Sequence, residues 1–91
     1  MSKAKRTVVV GSRIGLHADA AMHFVEAARA TGHHVAITNV DGAVGDADSL
    51  ISVLETPVEH GQEVVLEVEG DNAEAVADKL ANLLASHLDS D

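Results

Sequence analysis

Residues Glu63 to Glu69 alternate without a break: Val64, Leu66 and Val68 fall on one side of an extended chain, and Val65, Glu67 and Glu69 on the other. Successive side chains of a strand point to opposite faces. One apolar face and one acidic face therefore require a sheet that is covered on a single side, which is an antiparallel arrangement. The cover has to come from helices, and two amphipathic stretches supply it. Ala21, Phe24, Val25 and Ala28 repeat at helical spacing. So do Ala73, Val76, Ala77, Leu80, Leu83, Leu84 and Leu88.

The remaining elements fall between these. Thr7 to Val10 is β-branched and ends at Gly11-Ser12, which reads as a first strand; Lys3, Lys5 and Arg6 before it read as a solvated flank. The first helix is expected from near Ala18 to Gly32. His34 to Val40 reads as a second strand, with Val35 and Ile37 on one face. Asp41-Gly42 predicts a type I′ turn into a short return strand near Ala43 to Asp46. Asp48 or Ser49 is placed to cap a brief helix through Leu50, Ile51, Val53 and Leu54. Pro57 and Gly61 bracket a loop. Asp71 with Glu74 predicts a capping box for the last helix, which runs to about Leu88. The order βαββαβα predicts a single domain over residues 1–91 of the α+β class: an open-faced β-sandwich, with a four-stranded antiparallel sheet and three helices on one face.

Composition excludes several function classes. A chain of 91 residues lies near the lower limit for a self-sufficient core, and with no cysteine it has neither disulfides nor a zinc-thiolate site to brace it. Phe24 is the single aromatic residue, so there is no stacking platform for bases or sugars. A net charge of −9 argues against nucleic acid. No stretch reaches the length of a membrane span, and no apolar run resembles a signal peptide. A cytoplasmic monomer without membrane insertion and without an organic cofactor is the expectation. No serine stands in a Gly-x-Ser-x-Gly setting, which leaves a hydrolase unsupported.

The chemistry concentrates at Gly15-Leu16-His17, just ahead of the first helix. A helix start exposes unpaired N–H groups and a partial positive charge, which together favour an anion. A histidine there can take a phosphoryl group whose oxygens accept bonds from the N–H groups of Ala18, Asp19 and Ala20. On spacing alone, His17 reads equally as a polar residue in a strand-to-helix loop.

Gly15-Leu16-His17-Ala18, followed by Ala21 and Phe24-Val25, resembles the active-site segment of the histidine phosphocarrier family HPr. Asp48-Ser49-Leu50-Ile51 resembles the segment holding that family's regulatory serine, Gly61 to Val65 resembles the turn into the fourth strand, and Asn72 to Leu84 resembles the closing helix. The resemblance implies a phosphocarrier of the phosphoenolpyruvate-dependent sugar phosphotransferase system. It would accept phosphate from enzyme I on Nδ1 of His17 and pass it to enzyme II A domains. It also implies Ser49 as a target of HPr kinase/phosphorylase, although a serine there serves as a helix cap in any case.

The resemblance breaks at the chemistry. The family motif continues His-x-Arg-Pro-Ala, whereas this chain has His17-Ala18-Asp19-Ala20-Ala21. A carboxylate about 5 Å from a doubly charged phosphoryl group repels it by roughly 1–2 kcal/mol in water. The same carboxylate favours the protonated ring, which cannot attack. Asp19 in the first turn suits the helix dipole, so it is expected to stabilise the helix while impairing the carrier. Glu55-Thr56-Pro57 replaces the Leu and Gly common in the family and suggests an altered docking face. Two other readings stay open: an HPr-like interaction module that transfers nothing, and a metal-binding variant using Asp19 and His23, which are four apart on one helix face.

Overall fold

A computed structural model describes residues 2–86. Seven elements follow one another: β1 (Ser2–Val9), α1 (Ala18–Ala30), β2 (His34–Thr38), β3 (Val44–Asp46), α2 (Leu50–Leu54), β4 (Glu63–Gly70) and α3 (Ala73–Ala85). The strands form one antiparallel sheet in the order β1-β4-β2-β3. This is the expected α+β open-faced sandwich. Leu88, expected at the end of the last helix, lies outside the described residues.

Register explains the alternation in β4. Val68 stands between Ala4 of β1 and Val35 of β2, and Leu66 stands between Arg6 and Ile37. Val35, Ile37, Val64, Leu66 and Val68 are buried beneath Phe24, Val25 and Ala28 of α1 and Ala77, Leu80 and Leu84 of α3, all in one core. The opposite face pairs Lys3 with Glu69 and Lys5 with Glu67 across the strands. Glu67 takes both lysines, at 3.9 and 3.8 Å.

Three sequence expectations are corrected here. β1 begins at Ser2, so Lys3, Lys5 and Arg6 belong to the strand and not to a flank. Arg6 sits on the covered side, and its guanidinium reaches Asp78 (2.8 Å) and Glu74 (3.4 Å) on α3. The hairpin at Asp41-Gly42 is not type I′, because only Gly42 of the two has a positive φ (86°). The turn closes from Gly42 N–H to the Asn39 carbonyl (3.0 Å), and the Asn39 side chain accepts from the N–H groups of Asp41 and Ala43. The capping box at α3 also does not form. The N-cap position falls on Asn72, in the left-handed region (φ 62°) and without a side-chain cap, and the Ser2 hydroxyl accepts from Ala73 N–H instead (3.2 Å).

Candidate functional site: a histidine at the opening of the first helix

Two loops meet at the start of α1, one leading out of β1 and the other into β4. Gly15 N–H closes a turn on the Ser12 carbonyl (3.1 Å), and Leu16, fully buried, donates its N–H to the Val58 carbonyl (2.9 Å). A side chain at position 15 has no room: a Cβ there would lie 2.2 Å from the Val58 oxygen and 2.9 Å from the Glu59 Cα, and φ is +72°. Only glycine meets both demands. The His60 ring bonds the Ser12 carbonyl through Nδ1 (3.0 Å), so this exposed loop histidine ties the two loops together. Val10 and Gly61–Gln62 exchange two further backbone bonds.

His17 follows as the N-cap of α1, with extended backbone (φ −129°, ψ 160°) and no side-chain cap. Its ring is two-fifths exposed, and Nε2 lies 3.3 Å from Oε2 of Glu59. Nδ1 makes no hydrogen bond among the described residues. Ala18 adopts φ +47°, a conformation that costs a side-chain-bearing residue about 1 kcal/mol or more. A left-handed residue beside right-handed ones turns consecutive N–H groups toward a common concavity. The N–H groups of Ala18 and Asp19 have no backbone partner among the described residues, but that of Ala20 donates to the His17 carbonyl (3.1 Å), as does that of Ala21 (3.3 Å). Ala20 therefore leaves the set of expected phosphate donors, because its proton is already used to close the first turn.

Asp19 is exposed and forms no ion pair among the described residues, so its charge stands unneutralised beside the site. Sequence reasoning found this carboxylate and missed Glu59, which is the one that touches His17. No local signal points to Glu59, since the pair is 42 residues apart and depends on the loop-to-loop bonds. Asp19 and His23 do not assemble a metal site: among the described residues no group of three His, Cys, Asp or Glu is placed to hold an ion. Ser49 caps α2, its hydroxyl oxygen accepting from Ser52 N–H (3.2 Å). Thr56, expected on an altered docking surface, is instead buried, with its hydroxyl on the Ser52 carbonyl (2.8 Å). α1 and α2 pack on one another and expose Met22, Leu50, Ile51 and Leu54. No helix among the described residues is long and apolar enough to cross a membrane.

This geometry sets a partly exposed imidazole beside the opening of α1. The family model described as "PTS HPr component phosphorylation site" matches residues 4–86. The phosphocarrier protein HPr of Streptomyces coelicolor is 43% identical over 86 residues, covering 94% of this chain and 92% of that protein. The HPr of Haloferax volcanii is 37% identical over 83 residues, covering 90% and 93% of the two chains. A crystal structure of HPr from Thermoanaerobacter tengcongensis superposes with a TM-score of 0.86 at 26% identity, covering 97% of this chain and 98% of that one. The chain belongs to the HPr family, the phosphocarriers of the phosphotransferase system.

Proposed function

We propose that His17 is the residue of this phosphocarrier that holds the phosphoryl group, on Nδ1, taking it from enzyme I and releasing it to an enzyme II A domain. The observation that carries this reading is the pairing of an exposed ring, whose Nδ1 is unbonded, with the unpaired N–H groups of Ala18 and Asp19 at the opening of α1. In the transfer, the Nδ1 lone pair forms the new bond to phosphorus as the donor's bond breaks. The donor atom keeps its electron pair, and the phosphoryl oxygens accept from the two N–H groups.

Asp19 slows this step in our reading, because its charge opposes the incoming group and no cation pairs with it among the described residues. Docking rests on the exposed apolar residues Met22 of α1, the helix that His17 opens, and Leu50, Ile51 and Leu54 of α2, which packs on it. Apolar side chains exposed together in this way fit a protein partner better than a small molecule. Ser49 is the residue that HPr kinase/phosphorylase would modify in a cell that has that enzyme. A cytoplasmic monomer completes the proposal.

The test is to incubate the chain with phosphoenolpyruvate and enzyme I and follow its intact mass. The reading expects one acid-labile phosphoryl group that is absent from His17→Ala. Persistence of the label in that variant would remove His17 from its role.

A further inference from the structure

The contact between His17 and Glu59 joins two residues on separate loops, and the fold sets it from both sides. His17 is fixed by the buried Leu16 before it and by the α1 backbone after it. The Glu59 backbone is held by two bonds, its N–H to Oε1 of Gln62 (2.9 Å) and its carbonyl from Gln62 N–H (3.1 Å), and the preceding Val58 carbonyl accepts from Leu16 N–H (2.9 Å). Gly15 permits the close approach, since a Cβ there would collide with the Val58–Glu59 backbone. The scaffold therefore fixes the Glu59 backbone beside His17, within reach of Nε2 for its exposed side chain.

A carboxylate offers only acceptors, so the nitrogen it meets must carry the proton. A neutral imidazole has one N–H and one lone pair. With the proton held on Nε2 by Glu59, the lone pair is on Nδ1. We propose that Glu59 is a positioning residue for phosphoryl transfer: it holds the Nε2–H tautomer of His17, and so selects Nδ1 as the atom that is phosphorylated. This rests on the reading of His17 as the carrier residue. The proton stays on Nε2 throughout the step. The Nδ1 lone pair bonds to phosphorus, the donor's bond to phosphorus breaks with its electron pair, and the ring's developing positive charge lies against the Glu59 carboxylate.

The experiment uses phosphoramidate, a small phosphoryl donor that needs no partner protein, on the full chain and on Glu59→Ala, Glu59→Gln and His17→Ala. The products are resolved by phosphorus NMR into Nδ1 and Nε2 phosphohistidine, and the His17 tautomer is read from imidazole nitrogen shifts before reaction. The full chain is expected to give the Nδ1 isomer. Glu59→Ala is expected to form it about two- to fivefold more slowly, the worth of one exposed charged contact, and to add the Nε2 isomer. Glu59→Gln retains an acceptor oxygen and is expected to restore the Nδ1 isomer. Unchanged tautomer and isomer distribution in Glu59→Ala would overturn the role of Glu59 while leaving His17 in place. Transfer from phosphorylated enzyme I to His17→Ala would instead defeat the parent reading, since a small donor also reaches the exposed His34 and His60.

Discussion

Replacing Asp19 with Asn removes one charge from the first turn of α1 and leaves the shape of the side chain intact. The carboxylate is exposed and unpaired among the described residues, so its field acts through water. Against a doubly charged phosphoryl group about 5–8 Å away, Coulomb's law in water gives roughly 1–2 kcal/mol, and physiological salt with a screening length of about 8 Å halves it or more. The remaining 0.5–1 kcal/mol or so corresponds to transfer about two- to fivefold faster in Asp19→Asn. Stability should move the other way, because an acid in the first helical turn contributes about 0.3–1 kcal/mol through the helix dipole. Rapid-quench measurement of phosphoryl transfer from phosphorylated enzyme I, repeated at rising salt, tests the rate, and urea unfolding of the two proteins tests the stability. The gap between the two proteins should narrow as salt increases. Equal rates at low salt, or a gap indifferent to salt, would refute the electrostatic argument.

Other perturbations have comparably specific outcomes. Phe24→Ala empties the largest fully buried side chain and should cost about 3–5 kcal/mol in urea unfolding, a large share of what a domain this small possesses. Ser49→Ala removes the oxygen that accepts from Ser52 N–H and should lower stability by about 1 kcal/mol with little effect on a reaction confined to His17. The His33 ring bonds two carbonyls, Asp71 through Nε2 (2.5 Å) and Thr31 through Nδ1 (2.7 Å), which requires both nitrogens protonated. The Asp71 carbonyl foremost, and the Thr31 carbonyl after it, raise its pKa above the ordinary 6.5. Because the folded value is the higher one, the stabilisation is complete below 6.5 and is lost as pH rises through the folded value. His33→Gln should erase that falling limb in unfolding curves recorded at several pH values; an identical limb in the variant would show that another group causes it.

Patterns confined to one element were legible in the sequence. The alternation of Val64, Leu66 and Val68 and the helical spacing of Phe24, Val25 and Ala28 report burial directly, and all six are in the core. Features that depend on distant partners were not legible. The Ser2 hydroxyl serves the first N–H of α3 from 71 positions away, so a local box at Asp71 was the wrong place to seek the cap. Lys3 and Lys5 look like a flank until register sets them opposite the acidic face of β4. Thr56 looks like surface until its hydroxyl is seen closing on the α2 backbone. At the site, His17 was visible because it sits beside its own helix, whereas Glu59 reaches it only through the meeting of two loops.

Amide and imidazole NMR of the chain before and after phosphorylation addresses the helix-opening account most directly. The account predicts phosphorus bonded to Nδ1 of His17, large downfield shifts for the Ala18 and Asp19 amide protons, and little change at Ala20, whose N–H already serves the His17 carbonyl. Phosphorylation that leaves the Ala18 and Asp19 amides unmoved would contradict it.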